Sequence, residues 1–323
     1  MPKADALQVA ICGFGQHARA HSDDLVGISG KEFRRLIPID APALVNTTAS
    51  IAVAETLAIL SAEPPLPRVI DASLINGKVG ILTIEGEARN PNIGDIYTET
   101  YARLTSEDVE SSDARSIAVG QGCSSLTMPM SDARISMFAA AMSEQIAHWT
   151  INGYPQDARL LIGRLAADGI SLTWEHAAIP PVHVVRIDKT DVRVRLSARA
   201  HTQIQADVSR WPDVETGGVL LGRQSETSKA FYVSHVLEAP PDSVRTAGLF
   251  ELGTKGLRAQ IKDYIAAHHE TLYCLGTWHS HLAPQGASST DRNTAKILGL
   301  SRAIPSVMLI RTPAGYQATT AAA

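Results

Sequence analysis

Apolar residues recur at helical and strand spacings through the second half of the chain. After Ser197, the positions Ala200, Ile204 and Val208 lie four residues apart, which predicts a helix with Ser197 as its N-cap. Apolar runs at 217–222 and 230–236 predict two buried strands. The elements predicted beyond them are a helix with Leu257, Ile261, Tyr264 and Ile265 on one face, a strand over 272–278, a helix from about 288 to 300, and a strand over 306–311.

The first half of the chain mixes the same two periodicities. We predict a buried strand over 7–12, strands over 68–75 and 78–84, and helices over 48–60 and 132–151. The pattern changes after Pro180-Pro181, and a polar segment follows at 188–191. The sequence therefore predicts two α/β domains, a Rossmann-like one over residues 1–189 and a second, mixed sheet with flanking helices over 190–323.

Composition narrows the class of protein. The 323 residues are 45% hydrophobic, so each predicted domain has enough apolar residues for a core. A net charge of −4 gives no reason to expect nucleic-acid binding, and no apolar run reaches the roughly 18 residues that span a membrane. The start of the chain lacks a secretory pattern, and Cys12, Cys123 and Cys274 are too far apart for a disulfide framework. We expect a cytoplasmic protein.

The candidate chemistry lies around the end of the predicted strand 272–278. His279 and His281 sit at i and i+2, on one side of an extended segment, and Asp291 follows after a short loop. Two imidazoles and one carboxylate form a three-ligand set that leaves a fourth tetrahedral position for water, as in catalytic zinc sites. Glu215, upstream in Glu-Thr-Gly-Gly, offers the base that such a water needs.

Each of these features has an ordinary explanation when it is taken alone. A His-x-His pair arises by chance in a chain with 11 histidines. The Ser288-x-x-Asp291 step is also a capping box, in which the two side chains bind free amides at a helix start. Glu215 has the alternative of being a solvated residue before a strand. The combination within one predicted domain favours the catalytic interpretation.

These residues resemble the JAMM family of zinc isopeptidases, also called JAB or MPN domains. The family carries a Glu, then His-x-His, then Ser-x-x-Asp, and the resemblance covers roughly residues 190–323. It implies that Glu215 is the general base, that His279, His281 and Asp291 bind zinc, and that Ser288 stabilises the oxyanion. Six residues separate His281 from Ser288, one fewer than is usual in the family. Ser289 would restore the spacing to the histidine but not the one to Asp291.

The first domain offers weaker motifs. Gly13-x-Gly15-x-x-Ala18 after a predicted strand is typical of dinucleotide binding, but the acidic residue expected about 20 positions on is not evident. The segments 44–50, 120–125 and 131–134 resemble ThiF-type adenylating enzymes, relatives of ubiquitin-activating enzymes. The ATP-contacting residues of that family are missing, so the resemblance implies a degenerate, partner-binding domain. Cys123 is either an exposed thiol or a small packed residue.

The metal-site residues predict a hydrolase, and the resemblance implies that it is a zinc-dependent isopeptidase that cleaves or matures a ubiquitin-like protein. The resemblances imply that its partners are that protein or its conjugates and, in a bacterial-style conjugation pathway, the activating and conjugating enzymes. The rival hypothesis is a non-catalytic module that keeps the fold in order to bind pathway partners. Stoichiometric zinc separates the two hypotheses, because only the enzyme requires it.

Overall fold

A computed structural model describes residues 3–22, 24–38, 40–60, 67–75, 77–109, 117–118, 126–127, 131–187, 190–291, 293–294 and 305–320. The helices are α1 (Lys3–Gly13), α2 (Gly30–Leu36), α3 (Ile51–Ile59), α4 (Ile93–Tyr101), α5 (Ser106–Val109), α6 (Asp132–Asn152), α7 (Ala198–Arg210) and α8 (Leu257–Ala267), with a 3-10 turn at Glu87–Arg89. The strands are β1 (Ala43–Asn46), β2 (Arg68–Ile75), β3 (Val79–Ile84), β4 (Ile117–Ala118), β5 (Leu126–Thr127), β6 (Ala158–Leu165), β7 (Leu172–Ile179), β8 (His183–Arg186), β9 (Arg193–Leu196), β10 (Gly217–Ser225), β11 (Ala230–Glu238), β12 (Val244–Thr246), β13 (Leu249–Glu251), β14 (Tyr273–Ser280), β15 (Val307–Thr312) and β16 (Gly315–Thr320).

The first half of the chain forms a five-stranded sheet in the order β1-β2-β3-β6-β7. Only the β1–β2 pair is parallel, whereas β2–β3, β3–β6 and β6–β7 are antiparallel. The Rossmann-like expectation is therefore not confirmed. The physical reason lies in the connections: β2 and β3 are three residues apart along the chain, which is too short for the crossover that a parallel pair needs.

The predicted strand over 7–12 is wrong. These residues lie in α1, an α-helix with no buried residue, and Cys12 is exposed on it. Ala4, Ala6 and Leu7 at the start of α1 have high helix propensity, and no strand of the described residues pairs with this segment. The glycine motif at 13–18 thus follows an exposed helix instead of a buried strand, and a Cβ at Gly13 or Gly15 would meet nothing within 4 Å. The strand-to-helix turn of a dinucleotide site is absent from these described residues.

The second half of the chain forms a seven-stranded sheet in the order β16-β15-β14-β10-β11-β9-β8. Its main core lies between this sheet and α7, which begins at the predicted N-cap: the Ser197 side chain accepts a hydrogen bond from the Ala200 amide. β8 belongs to this sheet although it precedes residue 190. The domain boundary between 189 and 190 stays a prediction.

The two sheets are joined through α4, which packs on β11. Gly94 of α4 lies so close to Tyr232 of β11 that an added Cβ would be 2.2 Å from the phenol oxygen. The Arg195 guanidinium also binds both carboxylate oxygens of Asp95, at 2.8 and 2.5 Å, and Arg223 pairs with Glu55 of α3. Both Arg195 and Asp95 are buried, so this contact is a specific, desolvated interface.

Several predicted elements are confirmed in type and place. β2 spans the predicted 68–75, α6 the predicted 132–151, and β10, β11 and β15 cover the apolar runs of the second half. The helix predicted from 288 to 300 is helical at 289–291 and at 293–294, and its remainder lies outside the described residues. Among the described helices, none has the length and apolar character that a membrane crossing requires.

Candidate metal centre

The scaffold of the candidate centre is the junction of β10, β14 and β15. β14 ends at Ser280, between the two histidines, and His279 lies opposite Gly217 of β10 and beside Ile310 of β15. A Cβ on Gly217 would be 2.3 Å from the Trp278 carbonyl oxygen, and one on Gly218 would be 2.1 Å from the Leu237 carbonyl oxygen. The two glycines after Glu215-Thr216 thus allow the neighbouring backbones to approach closely.

The predicted ligands come together. His279, His281 and Asp291 form a group whose candidate ligand atoms all lie within 4.8 Å of one another. The two Nε2 atoms are 3.0 Å apart, and the Asp291 carboxylate oxygens lie 3.4 Å from His279 Nε2 and 3.6 Å from His281 Nε2. Ligands at about 2.1 Å from a tetrahedral zinc ion are separated by roughly 3.4 Å. The spacing of the three groups fits one small metal ion.

The two imidazoles are held in a form that suits metal binding. The Nδ1 atom of His281 lies 3.1 Å from the carbonyl oxygen of Gln285, so Nδ1 carries a hydrogen and Nε2 is the ring nitrogen that faces Asp291. The His281 backbone amide donates to the Arg311 carbonyl oxygen at 2.9 Å. Burial lowers the pKa of His279 to about 4, which leaves its ring neutral near pH 7.

Asp291 is fixed by the helix start on which it lies. The Ser288 amide donates to Asp291 Oδ2 at 2.6 Å, and the Asp291 amide donates to Ser288 Oγ at 3.1 Å. Burial raises the pKa of Asp291, but the hydrogen bonds from Ser288 and the nearby imidazoles outweigh it and leave that pKa below its ordinary value. The capping box and metal ligation are therefore compatible, since the box holds the carboxylate charged and aimed at the histidines.

Glu215 lies buried next to this group. Burial raises the pKa of Glu215, and the negative charge of Asp291 adds to the rise, whereas His281 opposes it. Asp291 and His281 are thus near enough to shift the pKa of the Glu215 carboxylate. A carboxylate whose pKa is shifted towards neutrality is better suited to accept and return a proton.

The structure brings His279, His281 and Asp291 together, places Glu215 within electrostatic range of His281 and Asp291, and leaves Ser288 exposed beside Asp291. Ser288 is exposed, and its hydroxyl accepts from the Asp291 amide, so its oxyanion role stays a prediction. Cys123 and the segment 120–125 lie outside the described residues. The β12–β13 hairpin was not predicted from the sequence; its Thr246 carbonyl oxygen accepts a hydrogen bond from the Glu215 amide at 2.8 Å. Two three-residue strands are too short for a periodicity signal.

Comparison with known proteins supports this reading of the C-terminal part. The chain is similar to a CD-NTase/cGAS isopeptidase of Enterobacter hormaechei subsp. hoffmannii, with 31% identity over 113 residues, which is 33% of this chain and 61% of that protein. It is also similar to the probable metalloprotease y4qB of Sinorhizobium fredii, with 27% identity over 94 residues, which is 28% of this chain and 57% of that protein. The chain thus spans about 60% of the length of these curated relatives.

The expected likeness of the C-terminal part is confirmed at the level of the domain, while the likeness of the first region to adenylating enzymes stays a prediction. Residues 197–321, which include Glu215, both histidines and Asp291, match the family profile described as prokaryotic homologs of the JAB domain.

Proposed function

We propose that this protein is a zinc-dependent isopeptidase that releases a ubiquitin-like protein from its conjugates or trims its precursor. The observation that carries the proposal is the meeting of two imidazoles and one charged carboxylate beside a buried glutamate. Three protein ligands leave one coordination position open, which is the pattern of catalytic zinc and not of structural zinc. Two relatives named as an isopeptidase and a metalloprotease point to the same chemistry.

His279, His281 and Asp291 would hold the zinc ion, which would supply Lewis-acid activation of a water molecule and of the carbonyl group under attack. The residues of the chain supply the proton transfers. The Glu215 carboxylate takes the proton of the attacking water, and burial has already raised its pKa towards the working range. The protonated Glu215 then returns this proton to the leaving amine, so that the carboxylate is regenerated when the carbon–nitrogen bond breaks.

The ligand set fits zinc by its donor chemistry. Imidazole nitrogen and carboxylate oxygen are both common zinc ligands, and the Gln285 carbonyl oxygen fixes the orientation of the His281 ring. Ser288, one turn before Asp291, is our candidate for a hydrogen bond to the developing oxyanion. A donor in that role contributes roughly 3 kcal/mol to the stabilisation of the transition state.

The first region has a supporting role in this proposal. Its contact with the seven-stranded sheet, through the buried Arg195–Asp95 pair, suits a scaffold that presents the catalytic part to pathway partners. The relative named a CD-NTase/cGAS isopeptidase makes a CD-NTase the first conjugated target to test. The rival proposal, a non-catalytic binding module, makes the same partner contacts without metal or cleavage.

The test compares wild type with Glu215→Gln and with the matched control Glu226→Gln, whose side chain is exposed after β10. The substrates are a ubiquitin-like protein fused linearly to a reporter and the same protein linked to a lysine of a CD-NTase. We expect about one zinc per chain in all three proteins, with cleavage lost in Glu215→Gln by at least 100-fold, because the base is replaced by a neutral amide.

The outcomes separate the hypotheses. Cleavage that survives a chelator would remove the zinc mechanism, and full activity of Glu215→Gln would remove the base assignment. A wild-type protein that holds no stoichiometric zinc and cleaves neither substrate would favour the binding module. Loss of zinc in Glu215→Gln would show that the glutamate supports the metal ligands instead of the proton transfer.

A further inference from the structure

Thr216, the residue after the proposed base Glu215, has a hydroxyl that both donates and accepts a hydrogen bond. Thr216 is fully buried, and its hydroxyl donates to Asp207 Oδ2 at 2.7 Å. The same oxygen accepts a hydrogen bond from Arg245 Nε at 3.2 Å. Because a hydroxyl has one hydrogen and the guanidinium only donates, the direction of both bonds is fixed. Asp207, Thr216 and Arg245 form one polar chain from α7, through the start of β10, to the β12–β13 hairpin.

The half-buried Arg245 lies against two aromatic rings. Its guanidinium carbon lies 4.7 Å from the centre of the Trp211 ring and 5.9 Å from that of Phe250. Phe250 in turn lies where a side chain on Gly217 would stand. No carboxylate of the described residues forms an ion pair with Arg245. Its position therefore depends on the two rings and on the Thr216 hydroxyl.

The backbone hydrogen bonds around Glu215 show how the Asp207–Thr216–Arg245 chain bears on the position of Glu215. The β10 ladders begin at Gly217 on the β14 side and at Gly218 on the β11 side, so Glu215 lies outside both. The Glu215 amide is bonded to Thr246 of the hairpin, at 2.8 Å, instead of to the sheet. Thr216 is tied to Ser280, between the two histidines, by its amide to Ser280 Oγ at 2.9 Å and by its carbonyl oxygen to the Ser280 amide at 2.7 Å.

We propose that Thr216 and Arg245 are positioning residues that hold the Glu215 carboxylate against the metal centre, with Asp207 as their anchor. The proposal rests on the proposed function for the role of Glu215. The backbone bonds of Thr216 align the strand with the histidines, and its side chain ties that strand to the hairpin that fixes Glu215. The two roles are separable, because a change in the Thr216 side chain leaves both backbone bonds in place.

The experiment uses the full chain and four variants. Thr216→Val removes the hydroxyl and keeps the shape, Thr216→Ser keeps the hydroxyl, and Arg245→Met removes the charge and the Nε donor. Arg258→Met is the matched control, since Arg258 is exposed on α8. We expect Thr216→Val and Arg245→Met to lower kcat roughly 10- to 100-fold, the cost of a small misplacement of a catalytic group. KM and zinc content should stay within about twofold of wild type.

Hydrogen exchange supplies a readout that does not depend on cleavage. In Thr216→Val and Arg245→Met, peptides that contain Glu215 and residues 244–251 should exchange at least tenfold faster, while the peptides of β11 and β15 keep the wild-type rate. Thr216→Ser should match wild type in exchange and remain within about threefold of it in kcat. If Thr216→Val does not fold, Arg245→Met, a change at a half-buried hairpin position, gives the same two measurements.

Unchanged exchange around Glu215 in the folded variants would overturn the positioning role, whatever the activity. A fall in kcat that follows a loss of zinc would overturn it as well, because it would show support of the metal ligands. If the wild type holds zinc but cleaves nothing, the proposed function fails, and the exchange data still decide whether Thr216 and Arg245 hold Glu215.

Discussion

The pH dependence of stability is set in part by one buried carboxylate of the first sheet. Asp71 lies on β2, fully buried, with Asn46 beside it on β1 and Thr83 opposite it on β3. Asn46 Nδ2 donates to its carboxylate at 2.6 Å, and the Tyr97 hydroxyl lies 3.4 Å from both oxygens. No described Lys, Arg or His forms an ion pair with Asp71. Burial raises the pKa of Asp71 to about 6 from an ordinary value of 3.8, against the hydrogen bonds.

The sign and size of the effect follow from this pKa. Between pH 3.8 and about 6 the folded state holds a proton that the unfolded state has released. The stabilisation from that proton is therefore fully present below pH 3.8 and is lost as the pH rises through about 6. The difference between these two pKa values, at 1.36 kcal/mol per pH unit, corresponds to about 3 kcal/mol in the free energy of unfolding.

The assay is urea unfolding of wild type and Asp71→Asn at several pH values from 4 to 7.5, followed by tryptophan fluorescence, to which Trp149 and Trp174 of the first region contribute. The free energy of unfolding of wild type should fall relative to Asp71→Asn by roughly 2.4 kcal/mol between pH 4 and 7.5, because the amide does not titrate and the rest of the effect lies below pH 4. Asp157→Asn, an exposed change of the same kind, should leave the wild-type dependence unaltered. Parallel curves for wild type and Asp71→Asn would refute the assignment of a raised pKa to this carboxylate.

Two further predictions concern the metal centre and the contact between the sheets. Zinc at 100 times its dissociation constant should raise the unfolding free energy of wild type by about 2.7 kcal/mol. His281→Ala should lose most of this gain in a thermal scan. An equal gain in wild type and variant would show that zinc binds elsewhere. Arg195→Met should cost about 3–5 kcal/mol in urea unfolding, because it leaves the buried Asp95 carboxylate without its partner, and adding Asp95→Leu should recover much of that cost. If Arg195→Met alone were as stable as wild type, the Arg195–Asp95 pair would not stabilise the contact between the two sheets.

The elements that could be predicted from the sequence are those with strong local signals. The helix after Ser197 was predictable because its N-cap and apolar spacing are local, and the strands at 217–222 and 306–311 were predictable because they are buried on both faces. The meeting of His279, His281 and Asp291 was also predictable, since His-x-His at the end of a strand and an acid at the start of a helix are adjacent motifs. Glu215 came from its Gly-Gly context and the family resemblance, not from periodicity.

Strand pairing, the distances within the site and burial depend on tertiary packing, which local sequence patterns do not contain. The segment at 7–12 reads as a strand by its apolar residues, yet it is an exposed helix because no sheet edge pairs with it. The antiparallel order of the first sheet depends on which strands pair, and the β12–β13 hairpin is too short to give a pattern. The distances among His279, His281 and Asp291, and the burial that shifts the pKa of Glu215, exist only once β10, β14 and the loop after it are packed together. Local sequence patterns predict secondary-structure elements and candidate residues. The distances between distant segments, and the burial that shifts the pKa of a carboxylate, arise only when the segments pack together.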